Sequence, residues 1–323
     1  MNPVLSIRDL MVDFSTPAGT VHAVRGVNLD VQPGELVGIV GESGSGKSVS
    51  FLSIMGLLPG SATVTGSAKV AGTEMIGVPA RQVRSLRGKK IAMIFQDPLS
   101  ALNPVHRIGA QIVEMIQAHQ DLDRSAAHRR AVELLDLVGL PQPDVRAMQY
   151  PHEFSGGMRQ RVMIAMAIAN DPEVLIADEP TTALDVTVQA QILDVIENVR
   201  RALNTAVVFI THDLGVVARI ADRVEVMYAG NTVERGLVND MFSSPHHPYT
   251  QGLLGSLPSA DRERLRPIIG APPNMISPPS GCAFRARCSH ATEACASAPM
   301  TLEQVGNTMT TCVRAVELAG GGS

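Results

Sequence analysis

The sequence predicts an α/β fold with a mostly parallel sheet flanked by helices. Short continuous apolar runs, which are typical of strands buried on both faces, occur at 35–40 (ELVGIV), 91–95 (IAMIF), 174–178 (VLIAD) and 206–211 (AVVFIT). Segments with helical spacing alternate with these runs, and the clearest is the amphipathic segment 186–203. Strands and helices that alternate along a chain build a parallel sheet with helices on its faces.

Two stretches depart from this alternation. Residues 4–14 and 21–31 are rich in Val, Ile and Leu and are separated by Pro17 and Gly19, which predicts an antiparallel pair of strands. Between about 97 and 170 the pattern is mostly helical, with Pro and Gly between the segments. We expect an inserted helical subdomain there, with helices near 105–119, 125–138 and 156–169.

The composition changes after about residue 236, where prolines and small polar residues accumulate in stretches such as SSPHHPYTQ and GAPPNMISPPSG. Such stretches favour loops. We therefore expect a large domain over residues 1–236 and a separate C-terminal domain over 237–319 with little regular structure. The last residues, 320–323 (GGGS), resemble a flexible linker and are left out of both domains.

The chain has 323 residues, of which 45% are hydrophobic and 18% charged, with a formal net charge of -4. This apolar content is sufficient for a well-filled core. The mildly acidic balance argues against nucleic acid as a partner, and the lack of Trp argues against stacking platforms for single strands. No secretory signal is visible and the longest apolar run, at 162–169, is too short to cross a bilayer, so we expect a cytoplasmic location.

The stretch GESGSGKS at 41–48 fits the phosphate-binding pattern G-x-x-x-x-G-K-[ST]. It lies between the buried strand at 35–40 and a helical segment at 48–58 that stops at Pro59-Gly60. In this context glycines let successive N–H groups surround a phosphate at a helix N-terminus, and an ordinary glycine turn is the weaker alternative. The predicted nucleotide-binding residues are Ser43, Gly44, Ser45, Gly46, Lys47, Ser48 and Val49. Lys47 is expected on the β- and γ-phosphates and Ser48 on Mg²⁺.

Two adjacent carboxylates, Asp178 and Glu179, lie at the end of the strand predicted at 174–178. Asp178 is placed to orient Mg²⁺ from across the sheet. Glu179 points to the opposite side of the strand end, where it can polarise an attacking water. A strand that ends in Asp-Glu is weak evidence by itself, but together with the stretch at 41–48 it predicts a nucleoside triphosphatase.

Two more polar residues follow predicted strands: His212 after 206–211, and Gln96 after 91–95. Because the carboxyl ends of parallel strands line one edge of a sheet, we expect His212 to contact the γ-phosphate, although a His at a strand end is usually just a polar surface residue. Gln96 would contact Mg²⁺ or the attacking water, or would only cap a loop, and the spacing leaves these alternatives open.

These motifs occur together with FSGGMRQR at 154–161 and TALD at 182–185, and the set resembles the ATP-binding cassette (ABC) ATPases, whose signature is usually LSGGQ. The resemblance covers about residues 4–236, with every motif in family order. It implies a P-loop ABC-type nucleotide-binding domain, in which a mixed, mostly parallel sheet is joined by an antiparallel β subdomain and by the helical subdomain at about 97–170. ATP is the implied nucleotide. Phe14 is the implied aromatic that stacks on adenine, although an aromatic at a strand end is as often part of the core.

The resemblance also implies that two ATPase subunits pack head to tail, with the signature of one over the nucleotide of the other. Ser155 offers a hydroxyl, and Gly156 and Gly157 expose N–H groups at the start of a helix, which suits an anion. A chain cannot fold this second glycine pair onto its own ATP, so we expect a partner subunit. Phe154 and Met158 stand where the family has Leu and Gln, and contacts from those side chains are not carried over.

Three further stretches resemble the oligopeptide and dipeptide importer branch, most closely the dipeptide importers: 96–104 (QDPLSALNP), 247–258 (HPYTQGLLGSLP) and the cysteine-bearing tail. This branch implies an ATPase that powers peptide import from the cytoplasmic face of the inner membrane. The implied partners are a second, non-identical ATPase subunit, two membrane permeases and an extracytoplasmic solute-binding protein. A short permease helix would dock on the segment after Gln96. Nickel importers share much of this pattern and are the alternative.

The four cysteines of the chain all fall after residue 280, with the spacing C-x5-C-x6-C-x16-C: Cys282, Cys288, Cys295 and Cys312. In a reducing cytosol such clustering favours a metal or cluster site over disulfides. Related importer ATPases carry a [4Fe–4S] cluster, and four thiolates on a loop-rich tail suit one. Zinc and reduced structural thiols are the alternatives, although the C-x2-C pair typical of zinc is missing.

Two functions of other classes fit parts of the sequence. A soluble ABC ATPase acting on nucleic acid or ribosomes would have a second cassette, a long coiled-coil insertion or a basic face, and the sequence shows none of these. An iron–sulfur redox module with a vestigial nucleotide site is disfavoured, because the Lys, Asp, Glu and His of that site are intact.

Overall fold

The structure is a computed structural model that describes residues 2–182, 184–256 and 268–320. Its strands are β1 (Leu5–Thr16), β2 (Gly19–Val31), β3 (Leu36–Val40), β4 (Ala62–Val70), β5 (Thr73–Glu74), β6 (Ile91–Ile94), β7 (Val174–Asp178), β8 (Ala206–Thr211), β9 (Arg223–Tyr228), β10 (Asn231–Leu237), β11 (Glu303–Val305) and β12 (Thr308–Thr310). Its helices are α1 (Lys47–Ile54), α2 (Ala80–Leu86), α3 (Pro98–Ala101), α4 (Ile108–Gln117), α5 (Arg124–Leu137), α6 (Pro143–Ala147), α7 (Gly156–Ala167), α8 (Val186–Leu203), α9 (Leu214–Ile220), α10 (Val238–Ser243), α11 (Pro248–Gly255) and α12 (Ala315–Gly320). Single 3₁₀ turns occur at Pro151–Glu153, Ala283–Arg287 and Glu293–Ala296. Within these ranges, every helix is too short or too polar to span a bilayer.

The predicted mixed, mostly parallel sheet is confirmed, with the strand order β11-β12-β10-β9-β3-β8-β7-β6 in the described part of the chain. The five strands from β9 to β6 run parallel, whereas β10 and the hairpin β11–β12 pair antiparallel. Helices cover both faces, which explains the continuous apolar runs: along β7, Leu175 and Ala177 face one apolar core, and Val174 and Ile176 face another.

The antiparallel pair predicted at the N-terminus is also confirmed. β1 pairs with β2, and with β4 and β5 they form a smaller sheet of order β2-β1-β4-β5. Helix α1 joins this sheet to the main one, because Phe51 and Ile54 of α1 share a core with Leu5 of β1 and Ile39 of β3. The residues that precede α1 are therefore held between the two sheets.

The helical insertion lies between β6 and β7, and α4, α5 and α7 correspond to the three helices predicted there. These helices and α8 bury their apolar sides against the face of the main sheet that carries Leu175 and Ala177. The short helices α3 and α6 were not predicted, since segments of four and five residues are too short to show a helical period.

The helix predicted over 48–58 ends earlier than expected. Helix α1 stops at Ile54, and Gly56 then adopts a left-handed φ of 60°. The Gly56 N–H donates to the Ser53 carbonyl, and the Leu57 N–H donates to the Leu52 carbonyl, both at 2.9–3.0 Å. This bond pattern is a Schellman motif, so the glycine ends the helix before Pro59 is reached.

The C-terminal region, defined as residues 238–320, contains more regular structure than predicted. It holds α10, α11, α12 and the hairpin β11–β12, which pairs with β10 and so extends the main sheet. The expectation of little regular structure was therefore wrong, because a proline-rich composition indicates local loops but does not exclude strand pairing over long separations.

The C-terminal region also shares an apolar core with the main sheet, in which Tyr249 and Phe284 pack with Val40 and Tyr228. Residues 257–267, which include the last two of the stretch 247–258, and 321–323 lie outside the described residues.

Candidate nucleotide site and cysteine cavity

The main sheet brings the predicted catalytic and metal-binding residues to one edge. Strands β3, β8, β7 and β6 are parallel neighbours, so their carboxyl ends lie side by side. The phosphate loop, defined as residues 41–48, follows β3, and His212 follows β8. Asp178 ends β7 with Glu179 directly after it, and Gln96 follows β6. Residues far apart in sequence are thus gathered at the edge where α/β sheets bind ligands.

Two glycines give the phosphate loop its close packing. Gly46 has a left-handed φ of 97°, and a Cβ there would lie 2.6 Å from the Ala23 carbonyl oxygen. A Cβ on Gly41 would lie 2.2 Å from the carbonyl oxygen of Met227. Helix α1 begins directly after Gly46, so the free N–H groups of its first turn adjoin the loop. This arrangement of N–H groups and helix N-terminus favours an anion.

Lys47 and Ser45 are buried polar residues within this loop. The Nζ of Lys47 donates to the carbonyl oxygens of Gly41 at 2.7 Å and Glu42 at 2.9 Å. Burial lowers the pKa of Lys47, and the nearby carboxylates of Glu179, Asp178 and Glu42 oppose this. The Ser45 hydroxyl is buried without a hydrogen-bond partner among the described residues. Since a buried hydroxyl normally has a partner, the residues present fit a phosphate group at this loop.

Ser48 and Asp178 form the second part of the candidate site. The Ser48 hydroxyl donates to Oδ1 of Asp178 at 2.7 Å, which joins the first turn of α1 to the end of β7. Burial raises the pKa of Asp178, whereas the hydrogen bond from Ser48 lowers it. A hydroxyl and a carboxylate oxygen side by side suit Mg²⁺, which prefers hard oxygen ligands.

The carboxylate of Glu179 lies next to the other two catalytic candidates, Gln96 and His212. Its Oε2 faces the amide nitrogen of Gln96 at 3.3 Å, and its Oε1 lies 3.3 Å from Nδ1 of His212. The Thr182 hydroxyl donates to Oε2 at 2.9 Å, and the Glu179 N–H donates to the Ile210 carbonyl at 2.9 Å. The His212 side chain is largely exposed, so this group of residues opens toward solvent. A carboxylate held on several sides and reachable by water suits a general base.

Thr182 is a contact that the sequence analysis missed. It belongs to the TALD motif at 182–185, which indicates the family but by itself assigns no role to the Thr hydroxyl. A Thr three residues after a candidate base, in a turn, is the signal that would have indicated the hydrogen bond. In the same motif Ala183 lies outside the described residues, and Asp185 caps α8 by accepting from the Val188 N–H at 2.9 Å.

The signature segment, defined as residues 154–161, is not brought to this edge by any hydrogen bond or ion pair of the described residues. Ser155 is the N-cap of α7 and accepts from the Met158 N–H at 3.4 Å, and both Ser155 and Gly156 are exposed. A Cβ on Gly157 would lie 2.6 Å from Cγ1 of Val188, so Gly157 also lets α7 approach α8. Phe154 is buried in the core of the helical insertion.

Phe14 lies on the smaller sheet, near the end of β1. It is half-buried and packs against the core that the two sheets share. Val49 in α1 is also partly buried and packs against the same core. A partly exposed ring at a strand end is compatible with both alternatives for Phe14, core packing and stacking on a base.

All four cysteines line one small cavity of about 20 Å³, and none of them forms a disulfide. We call this the cysteine cavity. Burial raises the pKa of Cys282, Cys288 and Cys312, the last to about 11. Within the described residues, no three or more His, Cys, Asp or Glu side chains are arranged to hold a single metal ion.

A buried histidine also lines the cysteine cavity. His247 accepts from the Tyr249 N–H at Nδ1, 3.1 Å away, so the neutral ring carries its proton on Nε2. This Nε2 is buried without a partner among the described residues, and burial lowers the pKa of His247 to about 3. By their chemistry, four free thiols and an unpartnered N–H donor suit a group that binds thiolates and supplies sulfur acceptors.

Two family models match this chain. The model described as "ABC transporter" matches residues 24–182, which include the phosphate loop, the signature segment and Glu179. The model described as "Oligopeptide/dipeptide transporter, C-terminal region" matches residues 233–295, which include three of the four cysteines.

The chain is 52% identical over 325 residues to the "Oligopeptide transport ATP-binding protein OppD" of Mycobacterium tuberculosis, covering 99% of this chain and 53% of that relative. It thus spans about half the length of the mycobacterial relative. It is also 52% identical over 299 residues to the "Dipeptide transport ATP-binding protein DppD" of Bacillus subtilis, covering 91% of this chain and 89% of that one.

Among solved structures, the dimeric ATP-binding cassette MJ0796 bound to ADP and Pi superposes with a TM-score of 0.65 at 26% identity, covering 72% of this chain and 98% of that one. This likeness confirms the predicted fold of the nucleotide-binding part. The match to the Bacillus relative, over 91% of this chain and 89% of that one, and the two family models agree with it. The chain therefore belongs to the family of ABC transporter ATP-binding proteins, in the branch of the oligopeptide and dipeptide transporters.

Proposed function

We propose that this chain binds and hydrolyses ATP and thereby powers the import of di- or oligopeptides across the cytoplasmic membrane. The observation that carries the proposal is the convergence of Lys47, the Ser48–Asp178 pair and Glu179 at one edge of the main sheet. This edge combines a phosphate-binding loop, two oxygen ligands for a cation and a carboxylate that can activate water. These are the parts that phosphoryl transfer to water requires.

For ATP binding, we assign the phosphates to the phosphate loop and to the N–H groups of residues 43–49. Lys47 binds the β- and γ-phosphates, and the unpartnered hydroxyl of Ser45 donates to a phosphate oxygen. Ser48 and Asp178, with Gln96 as a further ligand, hold Mg²⁺, which neutralises phosphate charge when it is bound. Phe14 stacks on adenine, and its partly exposed ring supports that role.

For hydrolysis, Glu179 takes the role of general base toward the attacking water, and His212 contacts the γ-phosphate. The distances of 3.3 Å from Glu179 to both His212 and Gln96 support this assignment, because one water can be shared among these groups. Thr182 holds the carboxylate in place through its hydrogen bond at 2.9 Å.

We propose that the signature segment acts on the ATP of a partner subunit. Ser155 and Gly156 are exposed at the N-terminus of a twelve-residue helix, where an anion is favoured. The solved cassette that resembles this chain is dimeric, which supports a paired arrangement. We propose a second, non-identical ATPase subunit as this partner, as the resemblance to this importer branch implies.

We further propose that the complete importer contains two membrane permeases and an extracytoplasmic solute-binding protein, with this chain on the cytoplasmic face of the inner membrane. An open cleft of about 920 Å³ between α4, α5 and α6, lined by residues from Arg107 to Met148, supports docking of a permease helix on this part of the helical insertion. The relatives are named for oligopeptide and dipeptide transport, which favours peptides over nickel. Nucleic acid is not part of the proposal. The division into residues 1–236 and 237–319 remains our proposal for the domains.

For the cysteine cavity, we propose a [4Fe–4S] cluster bound by Cys282, Cys288, Cys295 and Cys312. Support comes from the convergence of the four thiols and from the unpartnered Nε2–H of His247, which can donate to a cluster sulfur. The cavity of about 20 Å³ has room for about one water molecule, so the thiols must move apart to admit the cluster. The four thiolates that bind a [4Fe–4S] cluster each bind a different iron and so lie farther apart than the ligands of a single ion, which agrees with the lack of a ready single-ion site among the described residues.

The function is tested with the complex purified from membranes and returned to lipid vesicles. We expect a companion ATPase and two permeases to co-purify, and ATP-dependent uptake of labelled dipeptides. Lys47→Ala should abolish ATP binding by this chain. Uptake of nickel ions but not of peptides would reject the proposed substrate, and unchanged ATP affinity in Lys47→Ala would reject the phosphate loop as the binding site.

The cluster is tested on protein purified without oxygen. We expect a brown protein with about four iron atoms per chain and a matching amount of acid-labile sulfide. Changing all four cysteines to serine should remove both the iron and the visible absorption. Colourless protein that contains zinc, or no metal, would reject the cluster.

A further inference from the structure

Glu42, the second residue of the phosphate loop, forms hydrogen bonds with two residues of the C-terminal region. The two terminal nitrogens of Arg287 donate to the two carboxylate oxygens of Glu42, at 2.7 and 3.0 Å. The Glu42 N–H donates to the hydroxyl oxygen of Tyr249 at 2.9 Å. Both the side chain and the backbone of Glu42 are therefore fixed by residues more than two hundred positions away along the chain.

Glu42 in turn contacts the lysine of the loop. Its carbonyl oxygen accepts from Nζ of Lys47 at 2.9 Å. A rotation of the Glu42 backbone would move this acceptor and, with it, the position of the Lys47 ammonium. Two successive contacts, from Arg287 to Glu42 and from Glu42 to Lys47, thus connect the C-terminal region to the Lys47 ammonium, which we propose binds the phosphates.

Arg287 and Tyr249 hold Glu42 rigidly because both of them are buried. The Arg287 side chain is only 6% exposed, and its guanidinium lies 5.8 Å from the ring centroid of Tyr228 and 5.9 Å from that of Phe284. Tyr249 is fully buried and packs against the same two rings. A two-point ion pair between planar groups fixes orientation as well as distance, which a single charge contact does not.

We propose that Arg287 and Tyr249 are positioning residues for the phosphate loop, so that the C-terminal region sets the ATP affinity of the chain. This inference rests on the proposed nucleotide site. Neither residue touches the nucleotide; both act through Glu42. The C-terminal region then contributes to nucleotide binding by positioning the phosphate loop.

The test measures the affinity of the purified full-length chain for a fluorescent ATP analogue. Arg287→Gln should weaken binding by about tenfold, within the range of typical couplings between sites. Arg287→Lys should restore only part of the loss, because an ammonium cannot make the two-point contact. Tyr249→Phe, which removes only the hydroxyl, should weaken binding to a smaller extent.

Arg285 provides the matched control. It lies on the same 3₁₀ turn as Arg287, but its guanidinium donates to the carbonyl oxygens of Ser280 and Ala296, inside the C-terminal region. Arg285→Gln should therefore leave ATP affinity unchanged. If Arg285→Gln weakened binding as much as Arg287→Gln, the effect would come from general loosening of the region, and the proposal would be wrong.

Glu42→Gln tests the same ion pair by changing the acceptor of Arg287. Its side chain is 26% exposed, so the fold should tolerate the change even if Arg287→Gln does not fold. Once Glu42→Gln is present, adding Arg287→Gln should cause no further loss of affinity, because the two residues act through one contact. Wild-type affinity in both single variants would overturn the proposal. Wild-type protein that binds no ATP would instead overturn the proposed function.

Discussion

Glu179 carries the strongest residue-scale evidence for catalysis. Its φ of 47° lies in the left-handed region, which costs a non-glycine residue on the order of 1–3 kcal/mol and is common at functional sites. Three side chains, those of Gln96, Thr182 and His212, lie around its carboxylate. A strained residue held on several sides keeps one orientation, as a general base needs.

Glu179→Gln should keep ATP binding and reduce ATP turnover by about 100-fold or more. The amide has the same shape and still accepts the hydrogen bond from Thr182, but it no longer carries the charge that polarises water. The measurement is phosphate release at saturating ATP, together with a binding titration.

Glu173→Gln is the control for that variant. Glu173 immediately precedes β7, at the end of the strand opposite Glu179, and forms a half-exposed ion pair with Lys90, so turnover should stay at the wild-type level. Wild-type turnover in Glu179→Gln would remove Glu179 from the proposed role.

The sequence predicted the position of a candidate residue in the fold best where that residue lies at the end of a strand or in the short motif directly after it. Lys47, Asp178, Glu179 and His212 all have this property, since the end of a buried run already tells which edge they share. The contact between Glu42 and Arg287 could not be predicted, because the two residues lie 245 positions apart and no local pattern links them.

At the scale of elements, the packing of α7 on α8 explains Gly157 independently of any anion. A Cβ at this position would lie 2.6 Å from Cγ1 of Val188, whereas one at Gly156 would meet only Leu184, at 3.9 Å. The sequence motif treats the two glycines alike, but the structure separates a glycine required by helix packing from one that faces open space.

Gly157→Ala should lower the free energy of unfolding by about 1–3 kcal/mol, because the added methyl group overpacks the contact between the helices. The measurement is urea denaturation. Gly156→Ala should change the stability far less. Adding Val188→Ala to Gly157→Ala should restore part of the loss, and a double variant less stable than either single one would contradict this account of the packing.

A second element-scale contact attaches the C-terminal region to β10. The carboxylate of Glu234 is fully buried and accepts from the N–H groups of His246 and His247, at 2.6 and 3.0 Å. It also accepts from the Thr308 hydroxyl at 3.1 Å, on the hairpin strand that pairs with β10. The Glu234 side chain thus attaches both the segment before α11 and the hairpin β11–β12 to β10. The amino-acid composition of the region did not indicate these hydrogen bonds.

Glu234→Ala should lower the free energy of unfolding by about 3 kcal/mol, since it leaves buried N–H groups without their acceptor. Urea denaturation gives the magnitude, and limited proteolysis should show earlier cleavage within 238–256. Glu303→Ala, on the exposed side of the same hairpin, is the control and should behave like wild type. Unchanged protection from protease in Glu234→Ala would contradict the fastening role.

For the whole molecule, the phosphate loop lies where three parts of the fold meet. Helix α1 shares one core with the smaller sheet, the carboxyl ends of the parallel strands supply the carboxylates, and the C-terminal region holds Glu42. The signature segment belongs to the helical insertion and makes no hydrogen bond to the phosphate loop among the described residues. The phosphate loop and the exposed start of α7 thus lie in different parts of the fold, which agrees with the two separate anion sites that we propose.

Gly156→Asp distinguishes these two sites. The position is exposed and has room for a side chain, and a carboxylate in the first turn of α7 is favoured by the helix dipole, so the fold should tolerate it. In the assembled complex, however, the new charge would meet the γ-phosphate of the partner's ATP and repel it. We expect wild-type ATP affinity in the isolated chain and turnover in the complex reduced by about tenfold or more.

Gly60→Asp, at another exposed glycine with no heavy atom near its Cβ, adds the same charge away from the site and should leave both quantities unchanged. A loss of ATP affinity in the isolated Gly156→Asp chain would mean that the signature segment completes the chain's own site, and the paired arrangement would then be wrong. If affinity persists while turnover in the complex falls, the exposed N-terminus of α7 acts only across the interface, which explains why a single chain carries two glycine-rich anion sites.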